Sequence, residues 1–250
     1  MESTKDYFSK QSDFYAKYRP KYPEELFEYL IGLCKSKDLE WDCATGNGQA
    51  AISLSNYFKK IVATDFSNNQ LSNAFQRVNI EYRLEKAEES TLETNSVDLI
   101  TVATAIHWFN IPEFYKQTDR VLKPGGVLAV WGYGGCRVST QLDEILNRFN
   151  FETLNNYWPP ETKMNWIDNY RNLPFPYPLL GTPKFIATAN YTFYDLLNYM
   201  LSWSGVQQYI KKHDQNPIDL VSEELKTKWG NPSDRKMVYW DLFLKCGYKP

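Results

Sequence analysis

The sequence predicts an α/β fold, a Rossmann-like doubly wound sheet of seven strands, and three observations carry that expectation. Apolar runs of strand length alternate with amphipathic stretches of helical spacing; a glycine-bearing turn, Thr45-Gly46-Asn47-Gly48, joins the first such run to a helix; and an acid, Asp65, closes the next apolar run. Alternation of this kind sandwiches a mostly parallel sheet between helices, with ligands beyond the carboxyl ends of its strands. Glycines at a strand-to-helix turn let a ligand lie against the backbone, beside N–H groups that attract anionic oxygens. Asp65 stands where such proteins place the acid that receives a ribose's hydroxyls.

Taken in order, Asp6 to Tyr18 has an amphipathic helical pattern that the prolines of Arg19-Pro20-Lys21-Tyr22-Pro23 stop. Pro23 to Ile31 then reads as a helix, with proline at its first position and acids in its first turn. Leu39–Cys43, Ile61–Asp65 and Ile80–Leu84 read as strands, with helices predicted over Gln49–Phe58 and Asn69–Val78 between them. Val97–Val102 is nearly continuous in apolar residues, which suits a strand covered on both faces. A helix over Pro112–Leu122 leads through the turn Lys123-Pro124-Gly125-Gly126 into a fifth strand, Val127–Gly132. Leu142–Leu154 is helical in pattern, and Tyr157–Pro183 is rich in proline and aromatics. Strands are predicted over Lys184–Phe193 and Lys236–Lys245, with helices over Asp195–Ser204 and Pro217–Trp229 between them.

With 250 residues the chain is long enough to bury a full core as a single domain. The formal charge of −2 gives no basic footprint, so nucleic acid is not expected as a substrate. The N-terminus lacks a basic stretch followed by an apolar run, and no apolar segment approaches membrane-spanning length, so a cytoplasmic protein without a membrane partner is expected. Cys34, Cys43, Cys136 and Cys246 are scattered, with only His107 and His213 as companions, which predicts buried free thiols and no metal.

The glycine spacing separates two nucleoside readings. A dinucleotide site needs Gly-x-Gly-x-x-Gly, whereas Gly48 is followed by Gln49-Ala50-Ala51-Ile52, where only Ala51 serves as the third small residue. The string Asp42-Cys43-Ala44-Thr45-Gly46-Asn47-Gly48 instead resembles motif I of class I S-adenosylmethionine (SAM)-dependent methyltransferases, with Ala44 where a first glycine is usual. A carboxylate at Asp42 suits a ligand that carries an ammonium group. Tyr18-Arg19-Pro20-Lys21-Tyr22-Pro23, Ala105-Ile106-His107-Trp108-Phe109 and Trp203-Ser204-Gly205-Val206-Gln207-Gln208-Tyr209 resemble a small-molecule subgroup that includes trans-aconitate methyltransferases. The likeness covers nearly the whole chain and implies a seven-stranded sheet whose last strand runs antiparallel. It also implies an N-terminal helical lid over 1–23, a cofactor core over 36–132, a cap over the substrate from 133 to 183 and a C-terminal part from 184 to 250.

The resemblance further implies roles for particular residues. The cofactor, SAM with S-adenosylhomocysteine as product, would be held by Tyr18, Arg19, Asp42, Ala44, Gly46, Gly48, Asp65, Phe66, Ala87, Glu88 and Ala103. In this set Arg19 faces the cofactor's carboxylate, Phe66 the purine face, and Ala87 and Glu88 the adenine edge. Tyr15, Trp108 and Tyr133 would meet the substrate. An exposed arginine, core tyrosines and a solvated glutamate are the plain readings of the same positions. The cap holds Tyr133, Tyr157, Trp158, Trp166, Tyr170, Phe175 and Tyr177; their faces suit a sulfonium, or they form a local core.

His107 lies where methyl transfer is expected and has two functional readings, general base or hydrogen-bond donor to a substrate carboxylate. Alternatively it fixes the loop by bonding to backbone. Because a carboxylate is ionised at pH 7 and needs no base, the lack of an acid–base pair in the sequence favours O-methylation of a small carboxylic acid. A silent cofactor-binding scaffold, an N- or C-methyltransferase and an NAD-dependent oxidoreductase are the alternatives. Alanine at 44 is tolerated where φ is negative.

Overall fold

The structure, a computed structural model, describes residues 18–162 and 168–250. Seven strands form one sheet: β1 (Leu39–Cys43), β2 (Lys60–Asp65), β3 (Ile80–Leu84), β4 (Val97–Ala103), β5 (Leu122–Tyr133), β6 (Phe185–Tyr191) and β7 (Lys236–Tyr248). Their order is β3-β2-β1-β4-β5-β7-β6. β1 to β5 pair in parallel, and β7 runs antiparallel to both β5 and β6, so the expected sheet with its last strand reversed is the one observed. Strand order reverses between β1 and β4, which opens the crevice where ligands bind in such sheets.

Helices α1 (Glu24–Leu33), α2 (Gln49–Leu54), α3 (Asn68–Ser72), α4 (Ile111–Val121), α5 (Thr140–Arg148), α6 (Phe193–Leu201), α7 (Ser204–His213) and α8 (Ser222–Trp229) accompany the sheet. Alternation along the strands divides the core in two. One cluster gathers Phe27, Ala51, Ile61, Leu99, Val127, Trp131 and Trp240, and the other Trp41, Val62, Ile100, Val102, Phe114, Leu128 and Val130. β4 is buried along nearly its whole length, as its apolar run requires.

Several boundaries differ from the sequence reading. The Asn79 amide donates to the carbonyls of Ser55 and Phe58 at 2.8 and 2.9 Å, which satisfies the chain past α2 without further helix. The helix expected to reach Val78 stops at Ser72. The Lys123–Gly126 turn is absorbed into β5, whose register with β4 shifts between Val97 and Leu99. There Gly125 N–H bonds to Lys249 O at 2.8 Å and Lys249 N–H to Gly126 O at 2.9 Å. A capping box, Thr192 with Asp195, starts α6 at Phe193, two residues earlier than expected. Pro217–Trp229 is not one helix: a 3-10 turn over Pro217–Leu220 breaks at Val221 before α8.

The expected cap is spread over both faces of the sheet. Leu142, Ile145, Leu146, Phe149 and Leu154 join one core cluster, whereas Tyr170, Leu173 and Tyr177 join the other. Tyr157 and Trp158 pack on α7, where the Tyr157 and Tyr209 rings lie 4.7 Å apart and a Cβ on Gly205 would meet Trp158 at 3.0 Å. Trp166, Tyr15 and the Asp6–Lys17 stretch of the expected lid helix lie outside the described residues. All four cysteines are free; three are buried and Cys34 is half-buried, a partial correction to the expectation of buried thiols. Among the described residues no helix is long and apolar enough to cross a membrane.

Candidate active site

The loop after β1 is assembled from beneath by carboxylates. Asp42 is 1% exposed, and its Oδ2 accepts from Thr45 Oγ1 at 2.5 Å and from Ala51 N–H at 3.1 Å. Its Oδ1 accepts from Thr101 Oγ1 on β4 at 3.0 Å. Burial pushes this carboxyl up to about pH 6, and the three donors pull in the opposite direction. Both oxygens are thus engaged inside the fold, and Asp42 shapes the loop from beneath.

Asp65, at the end of β2, reaches across to the same loop. Its Oδ2 accepts from Gly46 N–H at 2.9 Å and its Oδ1 from Ser67 N–H at 2.8 Å. Gly46 and Gly48 take φ of +59° and +84°, and a Cβ on Gly48 would run into Tyr82 Oη, so glycine suits the position in both conformation and space. Ala44 has φ of +54°, outside the negative range in which alanine is tolerated. Thr104, just past β4, has the same φ of +54°. The two strands that flank the crevice therefore both end on a left-handed non-glycine residue, a kind of strain that collects at functional sites.

Around the β4 and β5 ends the contacts are between distant side chains. Arg19 donates from Nη1 to Tyr133 Oη at 3.2 Å and from Nη2 to Ser202 O at 3.0 Å, with its guanidinium 5.6 Å from the Tyr199 ring centroid. Arg19 and Tyr133, expected respectively at cofactor and substrate, are brought together by one another. Tyr18 contributes its carbonyl to Tyr191 Oη at 2.5 Å. Tyr22 sets its hydroxyl 3.2 Å from Thr104 Oγ1 and its ring edge-on to Trp131 at 5.4 Å. Ala103 ends β4 beside this contact.

His107 lies in a 3-10 turn over Ile106–Trp108, 8% exposed, with Nδ1 2.8 Å from Tyr170 Oη. Burial lowers its pKa to about 3, so the ring is neutral at pH 7. A ring so reluctant to take a proton is a poor general base, and its partner is a side chain rather than the backbone expected of a loop-fixing role. Trp108, the neighbouring expected substrate contact, is half-buried. Glu88 accepts from Asn110 N–H at 2.7 Å, at the start of α4, and Ala87 is buried in the second core cluster. Phe66 is 40% exposed directly after Asp65, as a platform for a planar ligand requires.

Sequence reasoning singled out neither Thr104 nor Glu40, and it placed Tyr22 in the proline-bracketed segment and Tyr170 among the cap aromatics without their partners. Those pairings carried no local signal, because the partners are far along the chain. Glu40 did carry one: an acid two residues before Asp42 in an otherwise apolar strand is out of pattern.

Comparison with known proteins bears on the family and the fold. Residues 41–130 match a family model described as a methyltransferase domain. A Dictyostelium discoideum protein whose name assigns it to the methyltransferases is 35% identical over 239 residues, covering 93% of this chain and 90% of its own length. A Saccharomyces cerevisiae protein named for SAM-dependent methyl transfer is 32% identical over 134 residues, 49% of this chain and 45% of that protein. The solved structure of a protein described as a type II methyltransferase, from Anaeromyxobacter dehalogenans, superimposes with a TM-score of 0.85 at 31% identity, covering 92% of this chain and 97% of that one. At 18% identity and a TM-score of 0.52, a Haemonchus contortus phosphoethanolamine N-methyltransferase solved with S-adenosylhomocysteine shares the fold.

Proposed function

The chain belongs to the class I SAM-dependent methyltransferases, and from that premise we propose that it methylates a carboxylate oxygen of a small organic acid, the acceptor class that the sequence resemblance to trans-aconitate methyltransferases implies. The residues present fit the cofactor. A carboxylate at Asp65 offers acceptors for a ribose pair, Phe66 offers an aromatic face beside it, and Gly46 and Gly48 keep the loop clear of Cβ atoms. When bound, SAM supplies a methyl group on a sulfonium, already activated for transfer to an anion.

The observation that carries the acceptor class is the state of His107. Phenols and ammonium groups must shed a proton to become nucleophiles, and the histidine at the expected transfer site is buried, neutral and bonded to Tyr170. A carboxylate asks for no base. What remains for the protein is to orient the acceptor and exclude water, which Tyr22, Thr104 and Tyr133 at the β4 and β5 ends support. On this reading His107 is a positioning residue that ties the turn after β4 to Tyr170.

The test is incubation of the protein with SAM and matched panels of small carboxylic acids, phenols and amines, with products analysed by mass spectrometry and alkaline hydrolysis. The proposal expects methyl esters, which release methanol in alkali, from the acids alone. N- or C-methylated products would replace it with the corresponding acceptor class. The silent-scaffold reading has one observation of its own, the left-handed Ala44 in the loop, and it predicts S-adenosylhomocysteine binding without turnover on any panel.

A further inference from the structure

Glu40 is fully buried on β1, two residues before Asp42 and on the same face of the sheet. Its Oε1 lies 2.6 Å from Thr101 Oγ1, and its Oε2 has no hydrogen-bond partner among the described residues. The same Thr101 hydroxyl lies 3.0 Å from Asp42 Oδ1. A hydroxyl has one hydrogen. Two ionised carboxylates therefore cannot both accept from Thr101, and whichever was refused would face an oxygen lone pair at hydrogen-bond distance with no proton between them.

We propose that Glu40 is a neutral carboxylic acid at pH 7 and a positioning residue for the cofactor loop, donating its proton to Thr101 Oγ1 so that the Thr101 hydroxyl in turn donates to Asp42. The direction of this chain is set by what each acid receives. Asp42 has the further donors Thr45 and Ala51, which stabilise its anion, whereas Glu40 has none. The groups that bear on the pair electrostatically are Asp42 on its own strand, Asp65 at the end of β2, the Cys34 thiol after α1, the Cys43 thiol on β1 and the Tyr82 phenol on β3, and no cation is among these. Complete burial likewise pushes the Glu40 carboxyl upward. Ionisation of Glu40 would turn the Thr101 hydroxyl away from Asp42 and leave the loop with one fewer anchor. Cofactor affinity is thereby coupled to a proton held beneath the loop.

This coupling rests on the cofactor reading above, but the proton itself is read without cofactor. Infrared spectra of the full chain, unlabelled and labelled with carboxyl-13C glutamate, should show at pH 7 an un-ionised carboxylic acid band that shifts with the glutamate label. The label separates Glu40 from Asp42, and Glu40→Gln should remove the band. No isotope-sensitive acid band at pH 7 overturns the proposal, and so does a band that survives in Glu40→Gln. If Glu40→Gln does not fold, the wild-type label experiment with Thr101→Val as the second variant decides, since loss of the hydroxyl should shift the band. Calorimetric titration of S-adenosylhomocysteine then reads the coupling. Wild-type affinity should weaken severalfold in the alkaline range where the acid band disappears, and Glu40→Gln, which keeps a donor to Thr101 at every pH, should stay flat. Parallel profiles would overturn the coupling while leaving the cofactor reading intact.

Discussion

At the β1–β2 end of the crevice, Asp42 and Asp65 accept from the backbone N–H groups of Ala51, Gly46 and Ser67, at sequence separations of 9, 19 and 2 residues. At the β4–β5 end, the bonds join side chains 63, 82 and 114 residues apart: His107 with Tyr170, Tyr22 with Thr104, and Arg19 with Tyr133. The first end is fixed mainly by carboxylates that hold backbone N–H groups, with Thr101 as its one distant side-chain anchor among the bonds described, and it tolerates little. The second is held by contacts that exist only once the whole chain has closed, and such contacts are free to vary with the acceptor. A cofactor common to a family and a substrate particular to one member call for this division.

Substitutions at the two ends should differ in size accordingly. The largest effect is expected from Gly48→Ala, where a Cβ runs into Tyr82 Oη in a backbone with φ of +84° and Tyr82 is itself bonded to Phe75 O. Denaturant unfolding should show a loss of about 2–3 kcal/mol, with S-adenosylhomocysteine binding abolished. A wild-type-like variant would mean that the loop is not as tightly defined as its contacts indicate.

At the other end, His107→Gln and Tyr170→Phe should each cost about 1 kcal/mol, and the double variant no more than the larger single loss, because they share one bond. The histidine also brings a pH dependence. Its folded pKa, about 3, lies below the ordinary histidine value, so the unfolded chain binds the extra proton between those limits and wild-type stability falls as pH drops from about 6.5 toward 3. Melting temperatures measured from pH 7 to pH 4 should fall more steeply for wild type than for His107→Gln. Equal slopes would show that His107 is not buried in its neutral form.

The smallest effect is a gain. Ala44→Gly relieves a left-handed alanine at φ of +54° and should add about 1 kcal/mol, raising the melting temperature by about 2–4 °C. It should also tighten S-adenosylhomocysteine binding. A neutral or destabilising result would show that the strain at Ala44 is taken up elsewhere in the loop.

The same division explains what could be read in advance. The strands of the sheet, the Gly46–Gly48 turn and Asp65 follow from local rules of burial period, turn chemistry and strand-end placement, and each lies where those rules put it. Helix lengths were harder. The end of α2 depends on the Asn79 amide from the far side of β2, and the start of α6 on a capping box whose second member looked like the helix's first residue. Asp42 was legible as a loop acid, but its partner Thr101 was not, because β4 pairs with β1 across 59 residues of chain. Nothing near His107 in sequence announces Tyr170, and nothing near Thr104 announces Tyr22.

The proposed site holds the cofactor nucleoside where Asp65 meets Gly46. Calorimetric titration of S-adenosylhomocysteine into wild type and Asp65→Ala tests it most directly. Single-site binding is expected for wild type, with an affinity at least about 100-fold weaker in the variant, which loses the ribose acceptor and the support of two loop N–H groups together. Equal affinity in a folded Asp65→Ala protein, or no binding by wild type, would contradict it.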